Sequence, residues 1–66
     1  MADFKSNLKK YRQLKELTQE ELGNIVGVRR ETIMRLENAK YNPSLKLAID
    51  ISRTLEVPIE EIFVFE

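Results

Sequence analysis

The stretch from Leu17 to Glu37, LTQEELGNIVGVRRETIMRLE, constrains this chain more than any other, because it reads as two short helices folded across one glycine. Thr18 is placed to cap the first: its hydroxyl can accept an orphan amide proton, and Glu21, three residues on, can reach back to complete a capping box. Leu22, Ile25 and Val26 then give that helix an apolar stripe. Gly27 ends it, since a residue without a Cβ enters the left-handed backbone of a sharp reversal at little steric cost. After the turn, Val28, Ile33 and Leu36 form the apolar side of a second helix beginning near Arg29, which leaves Arg29, Arg30, Glu31, Thr32 and Arg35 on its other faces. Gly23 stands mid-helix, where it costs on the order of 1 kcal/mol relative to alanine, and a close approach of the second helix accounts for it.

Gln19 at the opening of the first helix, Leu22, Gly23, Val26, Gly27, Val28, Ile33 and Leu36 coincide position by position with a known pattern. In these residues the chain resembles the helix-turn-helix of the phage lambda Cro and repressor family and of the small bacterial and archaeal regulators built on that domain. The resemblance extends from about Leu8 to Phe63. It implies an all-α, compact five-helix domain of the lambda-repressor type, with the helix-turn-helix at about 18–37, and it implies that the chain regulates transcription by binding double-stranded DNA.

Several roles follow from the resemblance alone. Arg12, seven residues before Gln19, corresponds to the family's arginine that pairs with the glutamate ending the recognition helix, here Glu37; a structural ion pair is favoured over a free phosphate contact. Arg30, Glu31 and Arg35 match base-contacting positions, with Thr32 able to offer its methyl to thymine or its hydroxyl to phosphate. Arginine suits the O6/N7 edge of guanine and glutamate can accept from the N4 amine of cytosine, so a half-site rich in G·C is expected. The other reading of Glu31 and Arg35 is a surface salt bridge at i, i+4, worth a few tenths of a kcal/mol. Gln19 is either a capping amide or a phosphate contact that also steadies the recognition helix. Arg29 cannot cap as serine or threonine would, and a cation at a helix N-terminus is unfavourable unless a phosphate lies near, so it reads as a backbone contact. Met34 is a core or partly buried residue, or else a soft groove contact. Asn38, Lys40, Tyr41 and Asn42, in the loop NAKYNPS, match the loop that grips phosphate beside the groove. Ala39 stands where glycine is usual, and Asn38 is expected to take any left-handed conformation in its place.

The rest of the chain fits around this unit. Helix 1 should run from about Ser6 or Asn7 to Lys15, with Leu8 and Tyr11 inward and Leu14 partly so. Residues 1–6 read as a frayed end apart from Phe4, an aromatic expected to pack on the domain. Pro43 and Ser44 should start helix 4, with Leu45, Leu47, Ala48, Ile51 and Leu55 facing in; Val57 and Pro58 break it, and Ile59 to Phe63 make a short fifth helix. The chain closes on Ile62, Phe63, Val64 and Phe65, an apolar run of the kind that marks an interface, the other reading being that some of these side chains simply close the small core. With Ile59 these form an expected dimerisation segment at about 59–66, with Val64 and Phe65 as a small strand beside Phe4.

Composition narrows the alternatives. Sixty-six residues allow one domain, and a chain this short buries only roughly 60% of its unfolded surface, so help from a partner is expected. Without cysteine or histidine, disulfides and the usual zinc ligand sets are excluded, and no cofactor or small-molecule ligand is indicated. No apolar run reaches the ~20 residues of a membrane span, and MADFKSNLKK lacks a signal peptide's apolar core, so the cytoplasm is expected. Zero net charge counts at first against a DNA binder. The charge is nonetheless polarised: residues 1–42 carry nine Lys/Arg against six Asp/Glu, a net of +3, and residues 43–66 carry two against five, a net of −3. An enzyme is not indicated, since the acidic pairs Glu20/Glu21 and Glu60/Glu61 are adjacent helical residues that share no face. The expected function is therefore a regulator, most simply a repressor, acting as a homodimer on a near-palindromic operator. The alternative is a protein-interaction module, antitoxin-like or complex-assembling, that uses the apolar carboxyl end.

Overall fold

A computed structural model describes residues 4–65. In chain order these form β1 (Phe4–Ser6), α1 (Leu8–Leu14), α2 (Gln19–Val26), α3 (Arg30–Glu37), α4 (Leu45–Leu55), α5 (Ile59–Ile62) and β2 (Phe63–Phe65). The five helices and the pairing of β1 with β2 agree with the expected all-α domain; of the fraying expected at residues 1–6, Lys5 and Ser6 instead pair with Val64 and Phe63 in the strand ladder, and residues 1–3 lie outside the described residues.

Leu8, Leu22, Ile33, Leu36, Ile51, Leu55, Ile62 and Phe63 are fully buried, so every helix contributes to one core. β1 and β2 close it from below as an antiparallel pair with Phe4 opposite Phe65 and Ser6 opposite Phe63. The Phe4 ring meets Phe63 edge-on at 5.4 Å between centroids, a favoured aromatic geometry. Asn7 continues the zipper, its amide N–H donating to the Ile62 carbonyl at 2.8 Å. Ser44 caps α4 by accepting from the Leu47 N–H at 3.1 Å. Lys15, just past α1, pairs with Glu56 at the end of α4; that hydrogen bond, and then the ammonium charge, hold the Glu56 carboxyl below its usual value.

Leu14, Ile25 and Leu45, all expected to face inward, are exposed. The reason is the same in each case: residues two apart on a helix point about 200° apart. Arg12 takes the inner face of α1, which turns Leu14 outward. In α2 the buried pair Leu22 and Gly23 sets the inner side and leaves Ile25 out. In α4, Leu47, Ala48, Ile51 and Leu55 face the core, and Leu45 cannot share their side. Ile62 and Phe63 also depart from expectation, being buried within the chain's own core rather than offered to a partner. Phe63 opens β2 instead of ending α5.

The end of α3 brings another correction. Asn38 keeps a right-handed backbone (φ −95°), and Ala39 takes the left-handed one (φ 54°). The Ala39 N–H donates to Leu36 O at 3.2 Å and the Lys40 N–H to Arg35 O at 2.9 Å, which is the Schellman closure of a helix. That pattern fixes the left-handed residue one position after the cap, whatever its type. Ala39→Gly should therefore raise stability by somewhat under about 1 kcal/mol, the Cβ penalty less the glycine's extra chain entropy. A higher urea midpoint at unchanged m would record it.

Candidate nucleic-acid interface

The geometry of α2 and α3 begins with local chemistry. Thr18 Oγ1 accepts from the Glu21 N–H at 3.0 Å while Glu21 Oε1 accepts from the Thr18 N–H at 2.8 Å, so the capping box is complete. Gly27 turns the chain at φ 79°, and the N–H groups of Gly27 and Val28 both donate to the Gly23 carbonyl. Gly23 is needed for a different reason. A Cβ there would stand 2.7 Å from the Val28 carbonyl oxygen, so the chain entering α3 passes directly over the glycine.

Ile33 and Leu36 anchor α3 in the core, and its last residue is locked from below. Glu37 Oε2 accepts from Arg12 Nε at 2.6 Å, and Glu37 Oε1 accepts from Arg12 Nη2 at 3.5 Å and from Gln19 Nε2 at 2.9 Å. Arg12 Nη1 donates in turn to the Leu17 carbonyl at 2.7 Å. Both charged side chains are buried, and no buried side-chain polar atom lacks a partner among the described residues. One network thus ties α1, the start of α2 and the end of α3 together. Gln19 is placed as a strut on Glu37 rather than as a capping amide; the cap is Thr18.

Opposite that anchored side, α3 presents Arg30, Glu31, Met34 and Arg35 to solvent, with Thr32 half-buried at the edge. Arg29, also exposed, caps α3 through extended backbone alone (φ −77°, ψ 158°), with no side-chain hydrogen bond to the first turn. Glu31 and Arg35 form no salt bridge with each other, which removes the surface-pair reading. Asn38, Lys40, Tyr41 and Asn42 follow α3 directly and are exposed. A shallow concavity lined by Arg12, Thr18, Gln19, Glu20 and Arg30 lies where the first turns of α2 and α3 meet. The structure therefore brings every expected DNA-facing residue to α3, its two ends or the adjoining start of α2. Met34, read from the sequence as core or partly buried or else as a soft groove contact, is 40% exposed on the same face.

A second surface lies elsewhere, lined by Asn42, Pro43, Leu45, Ala48, Ile59, Phe63 and Phe65. Leu45 is 75% and Phe65 62% exposed; Val64 is exposed too, but as the neighbour of Phe65 in β2 it points to the other face of the strand. Sequence reasoning missed Leu45 here, although its offset of two from Leu47 already puts it on another side of α4. Among the described residues, no cluster of acidic side chains could hold a metal ion, and no helix is long and apolar enough to cross a membrane.

Comparison with known proteins bears on this arrangement. The family profile described as helix-turn-helix matches residues 8–62. An uncharacterized HTH-type transcriptional regulator of Archaeoglobus fulgidus is 53% identical over 63 residues, covering 96% of this chain and 89% of that protein. Another, from Methanocaldococcus jannaschii, is 52% identical over 96% of each. Among solved structures, the P22 c2 repressor in complex with a synthetic operator superposes with a TM-score of 0.77 at 23% identity over 80% of each chain. The restriction-modification controller protein of Aeromonas hydrophila superposes at 0.73, with 28% identity over 82% of each.

Proposed function

This chain belongs to the helix-turn-helix family of transcriptional regulators, and from that premise we propose that it is a cytoplasmic, sequence-specific repressor that binds a near-palindromic DNA operator as a homodimer. The family is one of DNA-binding regulators rather than enzymes. The observation that carries the reading is the division of labour on α3: Ile33, Leu36 and Glu37 are held by the domain, while Arg30, Glu31 and Arg35 are exposed and make no salt bridge among the described residues. An exposed row of two guanidiniums and a carboxylate on a rigidly seated helix has the chemistry of major-groove readout, Arg30 and Arg35 toward guanine and Glu31 toward cytosine. Thr32 adds a contact at the edge of the row. Gln19 and Arg29 before α3, and Asn38, Lys40, Tyr41 and Asn42 after it, supply donors to the phosphates on either side.

The homodimer is proposed on the apolar surface formed by Ile59, Phe65 and Leu45, with Val64 on the adjoining face of β2. Each domain measures 28 × 21 × 20 Å, so two copies side by side are of the size to set their α3 helices one DNA turn, ~34 Å, apart. Occlusion of a promoter needs no more than such binding, and the P22 c2 repressor, whose fold this chain shares, is solved on an operator. Exposed Leu45 and Phe65 also support the second reading, a protein-interaction module. Selection of bound duplexes from a random DNA library at near-physiological salt separates the two. An enriched inverted repeat with G·C pairs in each arm is the expected result. No enrichment, with binding that vanishes at modest salt, overturns the repressor and favours the module.

A further inference from the structure

We propose that Met34 is a specificity residue that reads the C5-methyl group of a thymine next to the base pairs met by Arg30 and Glu31. The inference rests on the proposed function and deepens it at the same surface. Its ground is the placement of an unbranched apolar side chain in the middle of a charged face. With about 100° and 1.5 Å of rise per residue, Met34 projects between Arg30 and Glu31 around the α3 axis, about 40° from the first and 60° from the second. Along the axis it stands about 6 Å beyond Arg30 and 4.5 Å beyond Glu31, the spacing of one to two stacked base pairs. A docking that lays α3 along the groove with both of those side chains at base edges brings Met34 against the next edge along.

The thioether cannot satisfy what most base edges offer. It has no N–H or O–H for the N7 and O6 of guanine, and as a weak acceptor it does little for the N4 amine of cytosine. Pressed on either, it would strip water from polar groups without replacing the hydrogen bonds. The thymine methyl is the apolar feature of the major groove and the partner such a side chain can bury. Met34 is also free for the purpose. The core beneath α3 is filled by Ile33 and Leu36, both fully buried, and Met34 lies outside it with 40% of its surface exposed. The operator is therefore expected to hold one fixed A·T pair inside each otherwise G·C-rich arm, with the thymine methyl facing α3.

The test uses the full chain and its selected operator, with deoxyuridine replacing thymine at one symmetric pair of positions at a time, which removes only the methyl. For the wild type, one pair of positions should lose about fourfold in affinity per half-site, about fifteenfold for the symmetric replacement, the amount expected for one buried methyl. Met34→Ala should bind the thymine operator more weakly and show no difference between thymine and deoxyuridine there; Met34→Gln, close in shape but polar, should also lose the preference. Because Met34 lies outside the core, both variants should stay folded and melt close to the wild type. A protein that selects no operator overturns the proposed function and this inference together. A protein that selects one, but is insensitive to deoxyuridine at every position, overturns the inference alone. So does a Met34→Ala variant that keeps the whole thymine preference.

Discussion

Glu37→Ala should destabilise the domain by about 3 kcal/mol or more, the largest loss expected from any single polar side chain here. The size comes from what is left behind. Arg12 is 8% exposed, and in the variant its guanidinium would keep the Leu17 carbonyl as acceptor but lose the carboxylate that balances its charge. Gln19 Nε2 would lose its acceptor as well. A chain of this length has a total stability on the order of 3–10 kcal/mol, so the variant should melt ten degrees or more below the parent or be unfolded at room temperature. Glu37→Gln keeps the shape and one acceptor oxygen and should fall between the two. The double variant Arg12→Met with Glu37→Leu should lose less than the two single losses added, because an apolar pair leaves no stranded charge. Thermal and urea unfolding followed by circular dichroism measure these variants, with the single Arg12→Met and Glu37→Leu chains completing the comparison. A loss below about 1 kcal/mol for Glu37→Ala would mean that water reaches Arg12 and that the network does not hold α3.

That network also shows what was legible in the sequence. The Arg12–Glu37 pair rested on a resemblance, and nothing in the spacing of two residues 25 apart announces it. The capping box at Thr18, the reversal at Gly27 and the cap at Ser44 were readable locally, because each depends on residues within three or four positions of one another. Tertiary sidedness was less accessible. Leu14, Ile25 and Leu45 all fit some helical stripe, and which stripe faces inward was settled by neighbours: a buried arginine in α1, a glycine under the incoming chain in α2, and the register of Leu47 in α4. The carboxyl end was ambiguous for another reason. Four consecutive apolar residues suit a core or an interface equally well, and the pairing of β2 with β1 divides them, burying Ile62 and Phe63 and leaving Val64 and Phe65 outside. Ala39 shows a local rule overridden by a local geometry: asparagine tolerates a left-handed backbone better, but the hydrogen bonds that close α3 select the residue after it.

Arg30→Ala and Arg35→Ala should each weaken binding to the selected operator by between about thirtyfold and ten-thousandfold while leaving the melting temperature unchanged. A bidentate arginine–guanine contact contributes about 1–3 kcal/mol of discrimination, and a symmetric dimer loses it in both half-sites. Stability should hold because both side chains are exposed and neither makes a salt bridge among the described residues. The kind of loss matters more than its size. For a base-reading arginine, the variant should bind the selected operator and one with the contacted G·C pair replaced about equally well, since the discriminating group is gone. Lys40→Ala should behave differently, weakening every sequence alike and lowering the slope of log affinity against log salt by about one per subunit. Glu31→Ala gives the sharpest contrast. Removing a carboxylate from among phosphates should strengthen binding to unrelated DNA while relaxing the preference for cytosine at one position, so specificity falls as non-specific affinity rises. Affinities at several salt concentrations, on the selected operator and on its single-pair variants, separate these patterns. If Arg30→Ala and Arg35→Ala instead behave as Lys40→Ala does, with uniform weakening and a lower salt slope, both arginines contact phosphate. Sequence would then have to be read by the shape of the DNA rather than by the edges of its bases.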